Sequence, residues 1–193
     1  MKTATQTPHQ LTSNEGDAVL LERMTLTGDL QGYALRLTLT QHYRNDSEHA
    51  IEAVYTFPVA AGATLAGLEA VIAGKRLVGQ VMPRTEAETR YEKAIDEGDL
   101  PVMVERSGRG LYTANLGGIA GGEAVQIAIT YVQLLDQEDG RIRLSVPTTV
   151  GSRYGDPRGD GGLQPHQTTH TDITAEHALE VDLRVGGLMA SAT

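Results

Sequence analysis

Three histidines, His166, His170 and His177, with Asp172 among them, have side chains that could hold a metal ion. Neutral imidazole and carboxylate are good ligands for zinc and its neighbours. They fall in a stretch with no periodic element to fix their geometry, so they read as surface histidines. Arg158-Gly159-Asp160 is the tripeptide form that integrins recognise, but it lies in a run made largely of Gly, Asp, Pro and Arg and reads as a solvated loop. Asp136/Glu138/Asp139 and Asp96/Glu97/Asp99 could offer oxygens to calcium, yet lack the spaced ligands and central glycine of a calcium loop. Gly117-Gly-Ile-Ala-Gly-Gly122 lacks the Lys-Ser/Thr of a phosphate-binding loop and runs into a strand, so it is expected to be a hairpin connection. Ser107-Gly108-Arg109-Gly110 reads as a turn, and no Gly-x-Ser-x-Gly elbow is present. No pattern here calls for a catalytic residue or a cofactor.

The bulk composition narrows the field further. A net charge of −9 disfavours nucleic acid and anionic lipid as partners, because both need a basic surface. No run is long and apolar enough to span a bilayer. The chain has no cysteine, which excludes disulfides, a thiol nucleophile and Cys-ligated metal centres. With one Phe and no Trp, a core must come from Val, Leu, Ile, Ala and a few Tyr. Residues 1–16 are polar, without the apolar stretch of a signal peptide, and read as a loose tail.

Beyond the tail, a period of two dominates. Tyr33, Leu35, Leu37, Leu39, Gln41 and Tyr43 alternate with Ala34, Arg36, Thr38, Thr40, His42 and Arg44, which sends the first set toward a core and the second toward water. Val125, Ile127, Ile129 and Tyr131 repeat the pattern, as do Ile142, Leu144 and Val146, and then Leu179, Val181, Leu183 and Val185. Weaker strands are expected at Val19–Leu26, Glu52–Phe57, Leu65–Ile72, Arg76–Val81, Val102–Glu105 and Leu111–Leu116. Turn residues separate them: Asn45-Asp46-Ser47, Ala73-Gly74-Lys75 and Glu138-Asp139-Gly140 among others. Many short half-buried strands with close turns predict a mainly β, mainly antiparallel sandwich.

One segment departs from that rhythm. Residues 84–97 are expected to form a single amphipathic helix, with a Thr85/Glu88 capping box, an apolar side of Ala87, Tyr91, Ala94 and Ile95, and Gly98 as its C-terminal stop. It would plug one end or face of the sandwich. Residues 151–174 are rich in Gly, Asp, His and Thr and read as a long loop. A strand over Ala178–Val185 follows, and the chain stops at Met189-Ala-Ser-Ala-Thr193 without a closing turn, like a chain cut short.

Taken together, four blocks resemble a known family. They are Val54-Tyr-Thr-Phe-Pro58; Leu68-Glu-Ala-Val-Ile-Ala-Gly-Lys-Arg-Leu-Val-Gly-Gln-Val81; Glu86-Ala with Tyr91-Glu-Lys-Ala94 and Gly98; and Asn115-Leu-Gly-Gly-Ile with Gly122-Glu, Val125-Gln-Ile and Tyr131. In order and spacing they resemble the VIT domain, the module of inter-alpha-trypsin inhibitor heavy chains and a vault-associated poly(ADP-ribose) polymerase, over about residues 14–155. Pro147-Thr-Thr-Val-Gly-Ser-Arg-Tyr154 is similar to that family's exit segment. The match loosens at Met82-Pro83, Gly117-Gly118 and Gly121, so contacts particular to the family at those loops do not carry over. The resemblance implies a β-sandwich with one helix, no catalytic residues and a von Willebrand factor type A domain commonly following. It also implies that a strand after the exit loop can pair back onto the sandwich. The metal-binding Asp-x-Ser-x-Ser motif of the A domain is absent, so no metal site is implied.

The organisation expected is therefore a tail at 1–16, a VIT domain at 17–155, a Gly/Asp/His-rich loop at 156–176 and a further strand at 177–193. The function expected is that of a non-enzymatic interaction or scaffolding module of a larger protein. Its partner would be another protein or an adjacent domain of the same chain. The alternative is a metal-binding or enzymatic domain using the His-rich loop. The lack of cysteine and the Ala/Gly-rich style suggest a bacterial protein, secreted, periplasmic or at the cell surface, although no targeting segment lies within these residues.

Overall fold

The computed structural model describes residues 10–13, 19–79, 104–106, 111–146 and 177–187. The strands are β1 (Gln10–Ser13), β2 (Leu20–Gln31), β3 (Ala34–Arg44), β4 (Ile51–Pro58), β5 (Ala63–Ile72), β6 (Lys75–Gly79), β7 (Val104–Arg106), β8 (Leu111–Ile119), β9 (Ala124–Leu134), β10 (Gln137–Glu138), β11 (Arg141–Ile142) and β12 (Ala178–Gly186). They build a six-stranded sheet in the order β12-β2-β3-β9-β5-β6, a four-stranded sheet in the order β1-β4-β8-β7, and the small β10-β11 ribbon. Every pairing is antiparallel except β12 on β2, which is parallel. The chain is thus a mainly β sandwich. The expected helix at 84–97, with Tyr91 and Ile95, lies outside the described residues.

The alternation in β3 and β9 explains why these two strands sit at the centre of the large sheet. Leu35, Leu37, Leu39, Gln41 and Tyr43 of β3 are buried, as are Val125, Ile127, Ile129 and Tyr131 of β9. The register sets Leu39 beside Ile129 and Gln41 beside Ile127. Across the gap the four-stranded sheet contributes Leu11, Ala53, Tyr55, Phe57, Ala114 and Leu116 to the same core. Gln10–Ser13, expected within a loose tail at 1–16, are instead a paired strand whose Leu11 is buried, because its register on β4 turns that side chain inward. Each fully buried Leu or Ile stabilises the fold by about 1.5–3 kcal/mol through removal of its apolar surface from water. In β4, Val54 and Thr56 are buried as well as Tyr55 and Phe57, so this strand is covered on both faces. Tyr33 is the exception in the alternating set. It falls in the β2–β3 turn and is 46% exposed.

Two tight hairpins follow the turn chemistry of their sequences. Ala73 and Gly74 both take positive φ between β5 and β6, and Asp139 and Gly140 do so between β10 and β11, the geometry whose twist matches paired strands. The segment Gly117–Gly122 is not the hairpin expected. Strand β8 belongs to the small sheet and β9 to the large one, so the glycines carry the chain across the sandwich. Gly117, at φ 79°, sits at a bulge in the β4–β8 register, and Gly121 packs against backbone. A Cβ at Gly121 would lie 2.6 Å from the carbonyl carbon of Glu48. The strand expected through Ile142, Leu144 and Val146 is also shorter than its pattern: pairing ends at Ile142, although all three side chains pack partly buried against the core.

Candidate functional site

Polar side chains held inside the sandwich are the first place to look for chemistry, and here their partners are structural. The Tyr55 hydroxyl donates to Oε1 of Gln41 across the gap between the sheets. Tyr43 lies edge-on to Tyr55, with ring centroids 6.3 Å apart, and Tyr55, Phe57 and Tyr112 continue as a stack with centroids 5.1 and 5.6 Å apart. Burial pushes both the Tyr43 and the Tyr55 hydroxyl well above the usual phenol range. They therefore stay neutral and serve as hydrogen-bonding groups, not as bases.

Asn45 is the second buried polar anchor. Its Nδ2 donates to the carbonyls of His49 (2.8 Å), Ile119 (3.2 Å) and Ala120 (3.1 Å), while its Oδ1 accepts from the Ser47 N–H (3.1 Å) and hydroxyl (2.7 Å). The backbone joins in, with Asn45 N–H donating to Glu123 O and Gly122 N–H to Asn45 O. One side chain thus ties the β3–β4 loop to the β8–β9 crossing. In the sequence it looks like any Asn-x-Ser turn.

The outer face of the large sheet carries the charged groups. Arg44 donates to Glu22 at 2.6 Å and Arg76 to Glu69 at 2.7 Å, both exposed pairs worth little to stability. Arg23 Nη2 lies 3.1 Å from His42 Nε2. Because a guanidinium has no acceptor, that histidine nitrogen must be unprotonated. Burial first and the Arg23 charge second lower the His42 pKa below its ordinary 6.5, with Glu22 opposing. A histidine whose folded pKa is lowered contributes stability that is complete above 6.5 and is lost as the pH falls through the lowered value. His42→Gln is therefore expected to flatten the fall in melting temperature on acidification below 6.5. An unchanged acid limb in thermal melts would assign that limb to other groups.

The residues singled out for chemistry fall mostly elsewhere. His166, His170, Arg158, Gly159 and Asp160 lie outside the described residues, as does the Asp96/Glu97/Asp99 cluster. His177, just before β12, is partly buried, and burial lowers its pKa. Asp136 lies in the β9–β10 connection, Glu138 ends β10 and Asp139 takes the hairpin turn. Among the described residues, no group of three His, Asp or Glu side chains is placed to hold a metal.

The sequence led to a strand over Ala178–Val185 that could pair back onto the sandwich, and the structure seats it as β12 at the edge of the large sheet. Its register on β2 sets Leu179 beside Met24, Val181 beside Leu26, Leu183 beside Gly28 and Val185 beside Leu30. The odd residues of β12 therefore extend the core-facing side of the sheet. Yet Leu179, Val181 and Val185 are 53%, 57% and 42% exposed. Leu183 is half-buried, over the space a Cβ on Gly28 would enter. The far end is pinned where Gly32 N–H donates to Gly186 O at 3.1 Å. Gly187, at φ 101°, passes so close to Gly32 that a side chain would collide with its nitrogen. What this edge and the loops around Asn45 offer is sheet-edge backbone and exposed surface.

Comparison with known proteins shows the family. The family model described as the Vault protein inter-alpha-trypsin domain matches residues 21–131. The chain is 29% identical over 147 residues to von Willebrand factor A domain-containing protein 5A of Rattus norvegicus, covering 75% of this chain and 18% of that protein. It is 28% identical over 141 residues to the Homo sapiens protein of that name, covering 72% and 18%. Protein mono-ADP-ribosyltransferase PARP4 of Homo sapiens is 30% identical over 150 residues, covering 78% of this chain and 8% of that protein. The chain belongs to the VIT family. It spans less than a fifth of the length of each of these relatives.

Proposed function

We propose that the chain is a non-enzymatic interaction module of a larger protein, holding an adjacent von Willebrand factor A-type domain. The observation that carries this reading is the kind of relative that shares the module. Proteins named for their A domain contain it as 18% of their length, and PARP4 contains it as 8% of a protein with a different name. A module shared by large proteins of different names is expected to supply contact surface, with activity residing elsewhere in the chain. The fold supports this reading, since the buried Tyr55 hydroxyl and the Asn45 amide bond within the sandwich.

The test is to produce the natural full-length protein and compare the melting of its A-type domain with and without this module. The module is expected to raise that melting temperature, since anything that binds the folded state stabilises it. An A-type domain that melts identically alone, or a full-length protein lacking one, would overturn the proposal.

A further inference from the structure

Sheet edges are open to pairing with other chains unless they are short, charged on the inward face, interrupted by proline or bent by a bulge. Among the described residues, the other edge strands of the two sheets meet these conditions by length: β1 has four residues, β7 three and β6 five. Strand β12 has nine, contains no proline, and pairs with β2 without a register shift. Its inward set, Leu179, Val181, Leu183 and Val185, is wholly apolar, while Glu180, Asp182 and Arg184 point to the outer face.

We infer that β12 pairs antiparallel with β12 of a second copy across a twofold axis at Leu183, joining two six-stranded sheets into one. A twofold contact must be self-complementary, and the charges of β12 satisfy that in one register. With Leu183 opposite itself, Asp182 stands opposite Arg184 of the second copy, and the symmetry repeats the pair. On the inner face, Val181 stands opposite Val185 of the second copy and the two apolar strips become continuous. Directly opposed strand residues have Cβ atoms about 4.5–5.5 Å apart, close enough for both kinds of pair. Shifting the axis to residue 182 would pair Glu180 with Arg184 but set Asp182 opposite its own copy. Shifting it to 184 would set Arg184 opposite its own copy with no opposite-charge pair, so only the axis at Leu183 pairs charges without opposing like ones. The charge pattern thus fixes both the occupant, a second copy, and the register.

Sedimentation velocity of the 193-residue chain over a range of concentrations tests this. Mass is expected to rise toward that of a dimer with concentration, and to fall back as salt screens the paired charges. Arg184→Asp alone and Asp182→Arg alone are each expected to abolish the rise, since each sets like charges opposite one another. An equimolar mixture of the two variants is expected to restore it, because they are complementary at both pairs. All these side chains are exposed, and thermal melts of the single variants confirm that they fold. A chain that stays monomeric at every concentration overturns the inference. So does a dimer indifferent to either charge change, or a mixture that fails to associate.

Discussion

Asn45→Asp is expected to destabilise the chain at least as much as Asn45→Ala, by about 3 kcal/mol or more. The two side chains are nearly the same size, so the comparison isolates the amide N–H groups. In the native chain those groups face three carbonyls, of His49, Ile119 and Ala120, in a site where Asn45 is 3% exposed. A carboxylate there would set negative oxygen against carbonyl oxygen, and burial would press it to take up a proton. Alanine removes the repulsion but leaves buried acceptors unpaired, at roughly 1–3 kcal/mol each where water cannot reach them. For a chain of this size the loss corresponds to a fall in melting temperature of about 6–12 °C. Chemical denaturation of both variants measures it. A loss under about 1 kcal/mol for both would mean that the two loops are held by their backbone bonds without this side chain.

The second large effect is expected at the centre of the large sheet. Ile127 is 0% exposed, flanked by Gln41 on β3 and Ala70 on β5. Ile127→Ala removes apolar contacts and leaves a cavity that neighbours pinned on both sides in the sheet cannot close, so about 3–4 kcal/mol should be lost. Val132, five residues along the same strand, faces outward and is 37% exposed. Val132→Ala should cost about 0.5 kcal/mol or less. The ratio matters more than either value. Equal losses would mean that the strand's inner and outer faces are not as described.

These two sites mark the extremes of what could be read in advance. Ile127 and Ile129 were legible because a period of two over a long strand has one interpretation when one face is buried. Gln41 carried a faint signal, a polar residue in the apolar set, and it is the acceptor for Tyr55. Asn45 carried none, since its role depends on Ile119 and Ala120 arriving from a distant segment. The glycines from Gly117 to Gly122 gave away a turn but not that it crosses between sheets, because a turn's residues do not say which sheet the next strand joins. In β12 the alternation correctly assigned Leu179, Val181 and Val185 to one face. It could not say that this face would be left exposed at the sheet edge. Periodicity reports orientation, whereas burial also depends on what lies opposite.

The parallel seat of β12 bears on the order in which the molecule is made. Strand β2 finds its antiparallel partner one turn later, since Leu30 pairs with Leu35. Its other flank waits for Ala178–Gly186, almost the whole chain away from Arg23. Loop-closure entropy makes so distant a pairing the slowest to form. On a ribosome that releases the chain from the N-terminus, β2 and β3 can zip and the core strands can gather while that flank is still bare. The nascent chain therefore passes through a stage in which the vulnerable edge is β2, and the arrival of β12 moves the exposed border of the sheet one strand outward.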